Sequence, residues 1–142
     1  NILLKWRDDS ATDYVLGSNQ LSDGSLRFIA LAALLLQPKQ TMPHVIIIDE
    51  PELGLHPMAI SQLAEMIKEA SVNAQVIVAT QSPQLIDEFE TKDIVVIESE
   101  VDENGRYCTI SRRLDEKELE GWLEEYSLSE LWNKNIIGGR PE

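Results

Sequence analysis

The amino-acid sequence predicts an α/β fold, a mostly parallel sheet flanked by helices. Three observations predict it. The run Val45-Ile46-Ile47-Ile48 is continuous and β-branched, the pattern of a strand buried on both faces of a parallel sheet, and it ends on two adjacent carboxylates, Asp49 and Glu50. Strand-like segments alternate with segments of helical character over residues 45–49, 57–70, 75–80, 83–89 and 94–98, as strand–helix–strand units do. Ahead of them, the Leu- and Ala-rich stretch LRFIALAALLL reads as a buried helix.

In chain order, residues 2–7 and 13–16 read as short strands around the polar turn DDSAT. Ser22 or Asp23 caps the Leu/Ala helix, and Pro38 and Pro43 mark the loop after it. Pro57 opens the next helix, which places Ile60, Leu63, Ala64 and Ile67 on one face. The apolar segment VIVAT follows as a strand, and Pro83 starts a short helix. Residues 94–98 form a further strand, and 107–112 alternate in a way that allows a hairpin across DENGR. Residues 116–134 are acidic and amphipathic. Leu119, Trp122, Leu123, Tyr126, Leu128, Leu131 and Trp132 are expected to dock one or two helices on the core. Antiparallel additions are therefore expected at both ends of the sheet.

With 142 residues, 43% of them hydrophobic, the chain is long enough for one domain with a sizeable core. The net charge of −13, from 25 acids against 12 bases, argues against a broad grip on a phosphate backbone by this segment alone. It leaves open nucleic-acid binding by other parts of a larger protein. Cys108 is the single cysteine, which fits a reducing, cytoplasmic setting. No apolar run approaches membrane-spanning length, and NILLKWRDDS lacks the marks of a signal peptide.

Three motifs carry chemistry. Asp49 and Glu50 stand at the carboxyl end of a strand, where open α/β sheets bind ligands; one acid there can help hold a metal ion and the other can polarise water. The bland alternative is two solvated acids ahead of the next helix. Leu21-Ser22-Asp23-Gly24-Ser25 precedes a helix, so a hydroxyl, free backbone N–H groups and the positive helix end can meet an anion. Asp23 opposes this, and an ordinary cap with a flexible turn reads equally well. Thr80-Gln81-Ser82-Pro83 closes the strand VIVAT. Gln81 can orient water or contact a phosphoryl oxygen, while Ser82 and Pro83 make a standard helix start. Arg27 has a carboxylate or a phosphate as its expected partner, and His44 is a loop residue without an inferred role.

With these residues in this order the chain resembles the ATP-binding-cassette class of ATPases, within it the RecF-like and chromosome-maintenance-like branch and its AAA-type prokaryotic family. The resemblance covers about residues 14–98 by motif, and the ending LWNKNIIGGRPE is similar too. VIIIDE matches Walker B, LSDGS stands at the signature and residues 53–57, LGLHP, at the D-loop. Ser22 and Gly24 match the signature; Asp23 and Ser25 depart from its transporter form. Gln81 stands where the family's switch His usually lies.

The resemblance implies a P-loop NTPase fold, with ATP and Mg²⁺ as ligands. Asp49 would serve the metal, Glu50 and Gln81 catalysis, Ser22, Gly24 and Ser25 the nucleotide, and Gly54, Leu55 and His56 the partner's site. No GxxxxGK[ST] occurs, and none of the lysines at 5, 39, 68, 92, 117 and 134 follows a glycine, so the Walker A loop is absent. Residues 1–142 then read as the C-terminal portion of an ATPase head, with 113–142 as its helical extension, inactive alone. The expected partner is a second copy in a head-to-tail dimer; DNA or an effector protein would engage regions outside this chain, and no membrane is expected. Three alternatives stay open: an ATP-dependent regulatory clamp with weak or no hydrolysis, a nuclease-coupled relative, and a non-enzymatic α/β binding domain. The roughly sixty residues after Gln81 are few for a nuclease domain as well as the rest of the sheet. Relatives of this kind serve DNA repair, chromosome handling or phage defence, and these residues choose none of the three.

Overall fold

The computed structural model describes residues 4–7 and 13–139. They fall into two compact units divided between Ala79 and Thr80.

In the first unit, β1 (Lys5–Trp6) pairs antiparallel with β2 (Leu16–Gly17), and Trp6 Nε1 donates to the Gly17 carbonyl at 3.2 Å. Among the described residues, the strands expected at 2–7 and 13–16 are seen at 5–6 and 16–17. Residues 1–3 and the whole DDSAT turn lie outside the described residues. Helix α1 (Asp23–Leu35) is capped by Ser22, whose Oγ accepts from Ser25 N. Strand β3 (Val45–Asp49), helix α2 (Pro57–Ser71) and strand β4 (Gln75–Ala79) form a β–α–β unit. β3 and β4 are parallel and run in register from Val45 opposite Gln75 to Asp49 opposite Ala79.

Proline at the first turn and apolar residues at helical spacing make α2 amphipathic. It buries Ile60, Leu63, Ala64, Ile67 and Ala70, and together with Leu31 and Leu35 of α1 and Ile46 of β3 these residues form the core of this unit.

Two expectations are corrected here. The β-branched run is covered on one face only: Ile46 is buried, whereas Ile47 is 73% exposed, and Val45 and Ile77 on the same face are exposed as well. Side chains alternate across a strand, and α2 packs on one side of this pair. The Leu/Ala helix buries Leu31 and Leu35 alone, with Ile29 and Leu36 left exposed.

The second unit begins with the short helix α3 (Pro83–Ile86), capped by Ser82. β5 (Val95–Val101) and β6 (Tyr107–Arg113) form an antiparallel hairpin. Its turn is held by Asp102 Oδ1, which accepts the backbone N–H groups of Asn104 and Arg106, both at 2.8 Å. Gly105 supplies the positive φ of 75° that such a turn requires. Helices α4 (Glu116–Leu123) and α5 (Leu128–Asn133) follow. Val96, Leu114, Leu119, Leu128, Leu131 and Ile137 form one buried cluster, with Leu123, Tyr126 and Trp132 packed against it, so the tail helices dock as expected except at Trp122, which is 45% exposed and outside the cluster.

Asp87 joins α3 to α5: its carboxylate accepts Ser129 N at 2.8 Å and Ser129 Oγ at 2.6 Å. Glu98 accepts Gly139 N at 3.1 Å, and Arg112 donates to the Ile137 carbonyl, so the end of the described chain is tied to the hairpin.

The sheet is not mostly parallel. Three two-stranded sheets are present among the described residues, and only β3–β4 is parallel. Parallel pairing needs a crossover, which the chain provides once; strands joined by a turn of a few residues pair antiparallel. Antiparallel pairs do occur before and after β3–β4 in the chain, but among the described residues they are separate two-stranded sheets rather than additions to the parallel pair.

Candidate functional site

The chemistry-bearing motifs of the first unit converge at the carboxyl end of β3. Asp49 is the last residue of that strand, exposed, and opposite Ala79 of β4. Glu50 continues the pairing through its N–H, which donates to the Ala79 carbonyl at 2.8 Å, and then turns sharply. Its φ is +42°, a left-handed conformation that non-glycine residues rarely adopt. Pro51 is fully buried beneath this turn. Gly54 also has a positive φ, +76°, and His56 closes the segment by capping α2, its Nδ1 accepting Met58 N at 3.3 Å. Leu55 lies between them, half-buried.

The first turn of α1 packs on this same segment. Gly24 lies so close to the Gly54 carbonyl that a Cβ would penetrate the oxygen and come within 3.1 Å of the carbonyl carbon. One turn further along α1, Arg27 Nη1 donates to two backbone carbonyls, Glu50 O at 3.2 Å and Leu53 O at 3.1 Å. Ser22 and Ser25 share a hydroxyl hydrogen bond of 2.8 Å, and both are exposed at the start of the helix. Ser22, Gly24, Ser25, Asp49, Glu50, Gly54, Leu55 and His56 therefore belong to one unit, joined by backbone contacts.

Gln81 belongs to the second unit, where it is exposed. Beside it Ser82 N donates to Thr80 Oγ1 at 2.9 Å, and Ser82 Oγ caps α3 by accepting Leu85 N at 3.3 Å. The ordinary helix start expected for Ser82 and Pro83 is thus realised, and it leaves the Gln81 amide unused by the cap.

Sequence reasoning missed the role of Arg27. Its expected partner was a carboxylate or a phosphate, and it binds two carbonyls instead. The signal available was its spacing, three residues after Gly24 and so on the same helical face. The left-handed Glu50 had no signal at all, because glutamate is not a residue that marks that conformation. Among the described residues no cluster of three or more His, Cys, Asp or Glu side chains is placed to hold a metal. Two open concavities of about 310 and 230 Å³ lie in the second unit, and no motif residue lines them. No described helix is long and apolar enough to cross a membrane.

Comparison with known proteins places this geometry in a family. A family model described as "AAA domain, putative AbiEii toxin, Type IV TA system" matches residues 9–87. A protein of Mycoplasma genitalium described as a "putative ABC transporter ATP-binding protein" is 32% identical over 77 residues, which make up 54% of this chain and 20% of that protein. The chain thus spans about a fifth of that relative's length. Among solved structures, one from work on ATP-driven dimerisation and DNA-stimulated activation of SMC ATPases aligns with a TM-score of 0.53 at 23% identity, covering 81% of this chain and 67% of that one. An Smc head bound to the C-terminal winged-helix domain of ScpA aligns at 0.57 and 22%, covering 76% and 32%. A Pyrococcus furiosus Smc head with an extended coiled coil, bound to the C-terminal domain of ScpA, aligns at 0.56 and 23%, covering 81% and 27%. These likenesses establish an α/β fold of the P-loop ATPase-head type. The family model covers more than half of the 142 residues, from before the turn at Ser22 to beyond Gln81, and the chain belongs to that AAA-domain family.

Proposed function

We propose that this chain supplies the signature, Walker B, D-loop and switch elements of an ATP-hydrolysing dimer, the phosphate-binding loop coming from a segment outside these 142 residues. The observation that carries the reading is the cluster at the end of β3. The turn at Ser22–Ser25 packs by backbone contact on the segment that follows two carboxylates, so three motifs form one rigid piece. The exposed apolar face of β3–β4 adds support, since in a complete sheet such a face is covered. In this reading residues 1–142 are part of one head domain, 113–142 being its helical extension.

Asp49 fits Mg²⁺ as a lone exposed carboxylate, because that ion takes one or two protein carboxylates and fills its shell with water and substrate phosphates. When bound, it neutralises charge developing on the phosphates. Glu50 accepts the proton of the attacking water. Gln81 hydrogen-bonds that water or a terminal phosphoryl oxygen. Ser22, Gly24 and Ser25 face the nucleotide of the opposite subunit, where hydroxyl and backbone N–H groups stabilise phosphate charge. Gly54, Leu55 and His56 reach towards the partner's site in a head-to-tail dimer, in line with the ATP-driven dimerisation described for an SMC relative of the same fold. With a net charge of −13, DNA or an effector protein is engaged by regions outside this chain. The lone Cys108 is consistent with a reducing, cytoplasmic setting.

The test is Glu50→Gln in the full-length protein. It should trap an ATP-bound dimer, seen as a nucleotide-dependent shift in size-exclusion chromatography with turnover lost; normal turnover sinks the assignment. A second reading, a clamp that binds ATP but scarcely hydrolyses it, is favoured by Gln81 at the switch position. Single-turnover hydrolysis by the wild-type dimer separates the two.

A further inference from the structure

Arg27 has no part in the chemistry just described, yet it touches the residue that does most of it. Its Nη1 donates to the carbonyls of Glu50 and Leu53, the two ends of a four-residue turn. The turn's own hydrogen bond, from Leu53 N to Glu50 O, is long at 3.3 Å. Within this turn Glu50 holds a φ of +42°. Left-handed backbone in a residue with a Cβ persists only where the surroundings over-determine it. Three contacts do so here: the Glu50 N–H on Ala79, the Leu53 N–H on the Glu50 carbonyl, and the Arg27 guanidinium on that same carbonyl. The last comes from a side chain, so it is removable by mutation without rebuilding the backbone.

We infer that Arg27 is a positioning residue for Glu50, acting by clamping the left-handed turn that sets the direction of its carboxylate. The inference rests on the reading of Glu50 as the base. A guanidinium makes a good clamp because it stays charged and presents several donors in a fixed plane, so one group spans two carbonyls at once. Freed of it, Glu50 relaxes towards the extended region that a residue before proline prefers, and its carboxylate swings with the backbone. Misplacement of a catalytic group by about an ångström costs on the order of a hundredfold in rate.

The experiment compares Arg27→Met and Arg27→Lys in the full-length protein, with Glu50→Gln and the double variant Arg27→Met/Glu50→Gln beside them. Arg27→Met keeps the side-chain stem and removes every donor. It should lower kcat for ATP by about tenfold or more while KM and ATP-dependent dimerisation stay within about twofold of wild type. In the Glu50→Gln background it should lower the residual rate no further, since a group acting through Glu50 has nothing left to align. Arg27→Lys should recover an intermediate kcat. A wild-type kcat for Arg27→Met, a loss wholly in KM, or a full further drop in the double variant overturns the inference. If Arg27→Met does not fold, Arg27→Lys decides: an intermediate kcat at unchanged KM supports the clamp, and a wild-type kcat refutes it. Glu50→Gln turning over normally defeats the functional reading and this inference with it. A slow Glu50→Gln beside an unimpaired Arg27→Met defeats the inference alone.

Discussion

Replacing Gly24 by alanine sets two effects of similar size against each other, and the structure decides the sign. Gly24 is helical, in the first turn of α1, and alanine in a helix interior is favoured over glycine by roughly 0.8–1 kcal/mol. By propensity alone Gly24→Ala is therefore stabilising. The added Cβ, however, meets the Gly54 carbonyl oxygen, a backbone atom that cannot rotate away, and the carbonyl carbon at 3.1 Å behind it. Either α1 or the Gly54 segment must move, and overpacking of this kind costs about 1–3 kcal/mol. Any such movement also strains the two Arg27 hydrogen bonds that join the same elements. The net expectation is destabilisation of about 1–2 kcal/mol, a fall of roughly 3–8 °C in Tm for a chain of this size.

Gly121 is the internal control. It lies in α4 with nothing within 4 Å of its Cβ position, so Gly121→Ala should raise Tm by a few degrees. Differential scanning fluorimetry on both variants gives the comparison. A Gly24→Ala protein at least as stable as wild type, with Gly121→Ala raised as expected, shows that the contact between α1 and the Gly54 turn is loose, and the case for one rigid motif cluster goes with it.

Two further outcomes can be checked. Gln81→His in the full-length protein should keep or raise ATP turnover, since it restores the family's usual group; complete loss in a steady-state phosphate-release assay means that Gln81 has another job. The wild-type rate should also show no titration from this position between mildly acid and neutral pH, because an amide carries no proton that leaves there. In the second unit, Asp87→Ala removes the acceptor of two hydrogen bonds from Ser129, one of them to a buried hydroxyl, and should cost about 1–3 kcal/mol in urea denaturation. An unchanged midpoint argues against Asp87 as the tie between α3 and α5.

Local structure was legible wherever one residue's chemistry decides it. Pro57 and the spacing of Ile60, Leu63, Ala64 and Ile67 place α2 almost to the residue, because both act within the helix itself. DENGR predicts its hairpin through Asp102 and Gly105, which supply the acceptor and the positive φ. Sheet architecture was less legible. Val45 to Ile48 describe a strand that favours apolar surroundings, but they do not say how much of those surroundings this stretch of chain provides. The motif residues were found from their order, and those of the first unit do meet at the end of β3. The left-handed Glu50 and the tight approach of Gly24 to Gly54 were invisible, and the carbonyl partners of Arg27 were not specified by its spacing alone, since each depends on where a backbone carbonyl twenty or more residues away is carried by the fold.

The uncovered side of β3–β4 has a practical consequence for handling the chain. Val45, Ile47 and Ile77 form an exposed aliphatic strip on a sheet that has two strands among the described residues. Exposed β-branched strips of this kind template pairing with other molecules. Expressed alone, residues 1–142 should self-associate as their concentration rises, despite a net charge of −13 that favours solubility. A dimer of the isolated chain in light scattering is therefore poor evidence for the nucleotide-driven assembly. Charged substitution at Ile47, the most exposed of the three, gives a simple way to tell adhesive self-association from that assembly.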